Sequence, residues 1–314
     1  MDTHTHTIGI GILGTGIMGQ RMLAAMQQHL RFRVLALWDS DPAALHAAAS
    51  RAEGGRMASS AEDLIADPAL QVVYVASPPS NHATAVRAVL AAGKACLCEK
   101  PLTHDAAEAR ALCEQVRDSG LPFAVNFPFA RSLAAGRMVE QVRGGHLGDI
   151  QSASITLRFA AWPRPWQAGA SAWLAGATEG GFTREVLSHF VFLSQRLFGP
   201  ATVAEVQLDR PAGGTEVALR ARLVHEGVTV QVDAAVAGAV ADQNRFEVIG
   251  TKGRVALVDW AQLEVDGQLS ERVDSSARTL DGLAACLDGH GDHGLATVGE
   301  AASVVRVIEA LLSS

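Results

Sequence analysis

From residue 8 to about residue 126, short apolar runs alternate with stretches whose apolar positions recur at helical spacing. Ile8–Leu13, Val34–Trp38, Val72–Ala76, Ala95–Cys98 and Phe123–Asn126 read as buried strands. Between them, Gly19–Leu30, Pro42–Arg51, Glu62–Ala66, His82–Ala92 and Asp105–Ser119 read as helices, the last two stopped by Gly93 and Gly120. Strands and helices in this alternation build right-handed βαβ units on a parallel sheet.

The pattern changes after residue 127. A helix over Arg131–Arg143 leads to a strand over Ile150–Phe159, then to a loop over Ala160–Gly181 rich in Trp, Pro and Gly. A helix over Thr183–Leu197 follows, and then the strands Val203–Leu208, Val217–Val224, Val228–Val236, Arg245–Ile249 and Val255–Val258 with no helix between them. Period-2 alternation is clearest at Val228, Val230, Val232, Ala234 and Val236. An apolar helix over Val298–Leu312 ends the chain. The expected fold is α/β plus α+β. A doubly wound, Rossmann-type parallel sheet fills residues 1–126. A mostly antiparallel open sheet, covered by helices on one face, fills residues 127–314. The uncovered face of that sheet is expected to be apolar, and to pair copies of the chain into a homodimer or homotetramer.

Composition narrows the function classes. A net charge of −7 with a pI near 5.9, and no basic stripe, argues against nucleic acid and anionic membranes as partners. No run reaches the roughly 18–20 apolar residues of a membrane span, and the amino terminus has no positive leader, so a cytoplasmic protein is expected. Four cysteines, at 96, 98, 113 and 286, are too few for a disulfide scaffold and read as core thiols. The histidines at 4, 6, 290 and 293 show no tetrahedral-site spacing, so no metal is expected.

The first strand runs directly into Gly14-Thr15-Gly16-Ile17-Met18-Gly19, a G-x-G-x-x-G. Its glycines allow a tight turn, close approach of a pyrophosphate, and close packing of helix on strand. Asp39 stands 20 residues past Gly19, at the end of the second strand, where a carboxylate reaches the adenosine ribose diol. An ionised Asp repels a 2′-phosphate, so NAD is expected, while the neighbouring Ser40 leaves NADP open. Asp41 is placed to cap the next helix, which releases Asp39 from that duty.

Three further stretches resemble the glucose–fructose oxidoreductase/inositol dehydrogenase (Gfo/Idh/MocA) family. They are Ala76-Ser77-Pro78-Pro79-Ser80-Asn81-His82, Ala92-Gly93-Lys94 leading to Cys98-Glu99-Lys100-Pro101, and Gly180-Gly181 followed by Glu185 and His189. The resemblance implies hydride transfer between nicotinamide and a hydroxyl or carbonyl carbon of a sugar, polyol or cyclitol. It implies that Lys100 stabilises the substrate oxygen, that Glu99 orients the cofactor, and that Pro101 follows a cis peptide. It implies that His189 carries the proton, consistent with imidazole titrating near neutrality. It also places Ser77, Pro78, Asn81, His82, Lys100 and Asn126 near the cofactor. Glu185, four residues before His189 and a catalytic candidate with it and Lys100, replaces the Asp more common in the family, and Phe192 replaces another. Glu185, Arg131, Trp162 and Trp173 are the further candidates for substrate contact, because tryptophan planes suit sugar faces. Two other readings stand beside this one. One is an NAD(H)-sensing regulator without catalysis; the other is an NAD-dependent glycoside hydrolase, whose tyrosine acid would have to be the single Tyr74.

Overall fold

The computed structural model describes residues 6–238, 241–273, 275–291 and 293–313. By contacts the chain divides into two compact units: Met1–Asn126 with Ser276–Ala302, and Phe127–Ser275 with Ser303–Ser314.

The first unit follows the predicted alternation. Its elements are β1 (Ile8–Leu13), α1 (Ile17–Gln28), β2 (Phe32–Trp38), α2 (Pro42–Ala49), β3 (Arg56–Met57), α3 (Ala61–Ala66), β4 (Val72–Val75), α4 (Pro79–Ala91), β5 (Ala95–Glu99), α5 (Ala106–Ser119) and β6 (Phe123–Asn126). The six strands form one parallel sheet in the order β3-β2-β1-β4-β5-β6. Every residue of β1, β4, β5 and β6 is buried, as a strand covered on both faces must be. Local chemistry sets the helix ends: Asp41, Ser60 and Asp105 cap α2, α3 and α5 through their side chains, and Gly120 ends α5 in the left-handed region.

The second unit contains α6 (Leu133–Arg143), β7 (Ile150–Phe159), α7 (Ser171–Leu174) and α8 (Ser188–Phe198). Its remaining strands are β8 (Thr202–Asp209), β9 (Ala218–Val224), β10 (Thr229–Val236), β11 (Gln243–Gly250), β12 (Arg254–Val258), β13 (Gln262–Val265) and β14 (Gln268–Leu269). The sheet order is β14-β13-β12-β11-β7-β10-β9-β8, antiparallel throughout except for the β7–β10 pair. Ile155, Leu157, Val230, Val232, Phe246 and Val248 point into the core, and α6 packs over β12 and β13.

The opposite face of this sheet is not the apolar surface expected. It carries Arg158 paired with Asp233 at 2.6 Å, Arg222 with Glu205 at 2.6 Å, and Arg245 with Glu247 and Glu264 at 2.6 and 2.9 Å. Period-2 alternation specifies which face is buried but not the character of the other, and the premise for apolar pairing of copies is gone.

A second difference concerns the end of the chain. Two more helices follow the strands, α9 (Ser276–Leu287) and α10 (Val298–Leu312). The sequence reading ran the second unit unbroken to residue 314, whereas Ser276–Ala302 joins the first. Leu280, Leu283, Ala284, Cys286 and Leu295 enter the core built by β1, α1 and β4, and Ala296 bridges to Val125 on β6. Arg31 clamps Asp288 at 2.9 Å and His29 reaches Asp281 at 3.2 Å. No helix among the described residues is long and apolar enough to cross a membrane.

Candidate functional site

On the first unit, the turn between β1 and α1 is built by its glycines. Gly14 has φ +99°, and a Cβ there would lie 2.5 Å from the main-chain nitrogen of Ser77. A Cβ on Gly19 would collide with the carbonyl oxygen of Gly14. Around Gly16, by contrast, a Cβ would meet nothing within 4 Å. Gly16 is also the N-cap of α1, without a side-chain cap and without an acidic residue in the first turn. An open concavity at an uncapped helix start suits an anionic group, since free amides and the helix dipole both point at it. Ser77, beside Gly14, has a buried hydroxyl with no hydrogen-bond partner among the described residues. These features fit a dinucleotide.

Asp39 does two jobs. Its Oδ2 accepts from the Thr15 amide at 2.5 Å and the Thr15 hydroxyl at 3.1 Å, and its Oδ1 accepts from the Asp41 amide at 2.9 Å. The carboxylate therefore ties the glycine loop to the end of β2, with acceptor capacity left for a ribose diol. Asp41 caps α2 by accepting from the Ala43 amide at 2.9 Å. Ser40 is exposed beside them. Asp39→Ala is expected to weaken NADH binding about tenfold, by loss of hydrogen bonds to a charged acceptor. Fluorescence titration measures this, and an unchanged affinity would remove Asp39 from the cofactor site.

The Glu-Lys-Pro segment ends β5. The Lys100–Pro101 peptide is cis and Lys100 is half-buried. Glu99 is only 5% exposed. Its Oε1 accepts from the Tyr74 hydroxyl and from the Asn126 amide, the latter at 2.6 Å, and its Oε2 accepts from the Lys100 amide at 3.3 Å. Tyr74 was legible only as a core residue, and its hydroxyl turns out to serve this carboxylate. Burial first, and the Glu99 charge next, push the Tyr74 phenol well above its ordinary range. Within the group expected near the cofactor, His82 is buried, with Nδ1 2.8 Å from the Pro101 carbonyl and Nε2 2.7 Å from that of Ser77. Its ring clamps the start of α4 to the Glu-Lys-Pro turn, while Pro78 and Asn81 are exposed. Burial pushes the Cys96 and Cys98 thiols up, so neither supplies a thiolate near neutrality.

On the second unit, Glu185 and His189 follow the glycine pair. A Cβ on Gly180 would strike the carbonyl of Leu174, and one on Gly181, at φ +94°, would strike the Glu216 carboxylate. Glu216 is buried and accepts from the Thr183 amide at 2.6 Å. The expected continuous α-helix is different here: Thr183–Leu187 is a π-helical turn that passes into α8. π bonds run from i to i+5, so the backbone register from Glu185 to His189 is not that of a plain α-helix. Glu185 Oε1 accepts from Gln167 Nε2 at 3.3 Å and lies 4.0 Å from Arg164 Nη2. His189 is 5% exposed and stands edge-on to Phe127, Phe129 and Trp260, with centroids at 5.8, 5.9 and 5.0 Å.

Trp260 escaped the sequence reading. It and Asp259 hold φ of +71° and +43°, a strained pair for non-glycine residues, and such strain gathers at functional sites. No short-range motif announces it. Trp162 anchors its own loop: Nε1 donates to the Leu174 carbonyl at 3.2 Å, and the ring packs against Phe159 and Phe182. Trp166 is the exposed one, under the Arg164 guanidinium at 4.6 Å. Trp173 and Arg131 are half-buried. Phe192 is buried and stacked on Phe127 at 4.6 Å, so it forms wall rather than lining. Among the described residues no group of three or more His, Cys, Asp or Glu side chains is disposed to hold a metal; His4 lies outside them.

The comparisons agree with this architecture. Residues 8–127 match the oxidoreductase family with an NAD-binding Rossmann fold, and residues 136–256 match the GFO/IDH/MocA C-terminal domain. The chain is 28% identical to an inositol 2-dehydrogenase of Rhizobium meliloti over 263 residues, covering 80% of this chain and 75% of that protein. It is 33% identical to a trans-1,2-dihydrobenzene-1,2-diol dehydrogenase of Macaca fuscata fuscata over 146 residues, or 46% of this chain and 43% of that one. In structure it is similar to GenD2 from gentamicin A biosynthesis, solved in complex with NAD, with a TM-score of 0.82, 23% identity, and coverage of 99% and 95%.

Proposed function

The chain belongs to the Gfo/Idh/MocA family of NAD-binding oxidoreductases, and from that premise we propose that it oxidises or reduces a CH–OH carbon of a sugar, polyol or cyclitol. When bound, NAD supplies the nicotinamide C4 that accepts or returns the hydride. The residues of the chain supply position and charge. The amides at Gly16 and the start of α1 hold the pyrophosphate, and Asp39 takes the ribose diol. Lys100 stabilises negative charge as it develops on the substrate oxygen. His189 takes the hydroxyl proton in oxidation and gives it back in reduction, so a CH–OH loses one hydride and one proton to become C=O. Glu185, oriented by Gln167, accepts a hydrogen bond from a neighbouring substrate hydroxyl.

The observation that carries this reading is a lysine placed directly after a buried carboxylate that three donors hold. A sensor would need the dinucleotide cradle but not this device. The hydrolase reading is disfavoured by Tyr74, whose phenol is fully buried and already committed to Glu99. The test is a panel of polyols, aldoses and keto-sugars with NAD and with NADP, read at the reduced-nicotinamide absorbance. Turnover with NAD exceeding that with NADP is expected. NADH binding with no turnover across the panel would replace the dehydrogenase by the regulator.

A further inference from the structure

We infer that Tyr74 and Asn126 are positioning residues for Lys100, acting through the Glu99 carboxylate that both of them bond. The activity arm of this inference rests on the hydride-transfer reading, and its structural arm does not.

The arrangement follows from strand register. Glu99 pairs directly with Asn126 across β5 and β6, which sets the amide beside the carboxylate. On the other side Tyr74 pairs with Leu97, two residues before Glu99 and on the same face of β5. Two residues of parallel strand span about 6.6 Å, a distance a tyrosine side chain bridges and a serine or threonine does not. A polar tip therefore lies inside an otherwise apolar strand: β4 reads Val-Val-Tyr-Val and every residue is buried. A phenol without a partner in that place would be costly, and so would a carboxylate at 5% exposure. Each satisfies the other.

The direction of the bonds matters. Tyr74 and Asn126 both donate to Oε1, while Oε2 accepts from the Lys100 main-chain amide. The carboxylate is thus held from two neighbouring strands on one oxygen and grips the lysine's backbone with the other. Removing one donor slackens that grip without touching the lysine. Ionisable groups around Glu99 are Tyr74 on β4, Cys98 and Lys100 on either side of it, and His82 of α4 on the Pro101 carbonyl. Burial pushes Tyr74 and Cys98 up, so the phenol remains a donor near neutrality.

The test is Tyr74→Phe, which keeps the buried ring and deletes only the hydroxyl. Hydrogen exchange at the Lys100 amide, read in the intact protein with NADH bound, is expected to quicken about tenfold. With a substrate from the panel, kcat is expected to fall about tenfold with little change in KM or in NADH affinity. A merely structural tyrosine would move stability and leave kcat and KM both near wild type. Unchanged exchange at Lys100, or a wild-type kcat, overturns the inference. Should Tyr74→Phe not fold, Asn126→Ala is read by Lys100 amide exchange and kcat alone, against the same two overturning outcomes. A panel without turnover defeats the hydride-transfer reading alone, since amide exchange still decides whether Tyr74 holds the turn.

Discussion

Replacing Lys100 with methionine is expected to lower kcat by about 10²–10³-fold, the loss found when one preorganised donor to a developing oxyanion is deleted. NADH affinity should stay within about twofold, because the features that fit the dinucleotide sit on the Gly14–Gly19 turn and at Asp39. Methionine keeps the unbranched stem and suits a half-buried position, so packing is nearly conserved. The main-chain amide that Glu99 grips is also retained. What disappears is a charge and its donors. The effect should therefore fall on kcat and not on cofactor binding, and single-turnover kinetics at saturating NAD separates the two. Turnover within a factor of a few of wild type, on any substrate the panel identifies, would end the assignment of Lys100 to the substrate oxygen.

The parts of this site that were legible in the sequence are those whose chemistry is local. Gly14, Gly16 and Gly19 act within six residues of one another, each through the absence of a side chain, so their spacing alone reports their work. Asp39 and Asp41 divide ribose and capping duties within one turn, again at short range. The Glu-Lys-Pro segment was found by resemblance, and its reason became visible only with three strands side by side. Tyr74 reads as an ordinary core residue until register brings it within reach of Glu99, 25 residues away. Longer separations hid more. Leu280, Leu283 and Leu295 show helical or apolar character, but nothing in their own neighbourhood says that they complete a core begun at Ile8. Trp260 reaches His189 from the end of β12, 71 positions along the chain. The polar face of the second sheet departs from the expected apolar one for a related reason. Alternation reports only the apolar half of each strand, while the arginines at 158, 220, 222 and 245 between those positions give the other face its charge. The π turn at Thr183–Leu187 is tied at its start to Glu216, 33 residues downstream, a contact that its own composition does not report.

That same turn contains the residue whose loss should be felt most in stability. Arg184 is buried and grips Glu309 of α10 with two bonds of 2.7 Å, while its third nitrogen donates to the carbonyls of Ala177 and Gly180 at 2.9 and 3.3 Å. A planar guanidinium is suited to that double role, and lysine would keep one bond of the set. Arg184→Met leaves the Glu309 carboxylate at 18% exposure without its cation and two carbonyls without a donor. Breaking a buried pair from one side costs about 3–5 kcal/mol, and the residual exposure of Glu309 sets the expectation near the lower end, about 3 kcal/mol. Removing both charges, in Arg184→Met with Glu309→Leu, should regain most of that loss, because no uncompensated carboxylate remains. Urea unfolding followed by tryptophan fluorescence reads the second unit, since Trp162, Trp166, Trp173 and Trp260 lie there and only Trp38 lies in the first. A loss under about 1 kcal/mol in the single variant would reduce the pair to a surface contact. Catalysis should not follow stability in the double variant. The loop at Ala177–Gly180 stays unanchored there, and Glu185, the next residue along the π turn, loses its fixed bearing on Gln167. Stability restored with kcat still depressed would show that Arg184 holds the turn for Glu185 as well as for the fold, and full recovery of both would confine it to the fold.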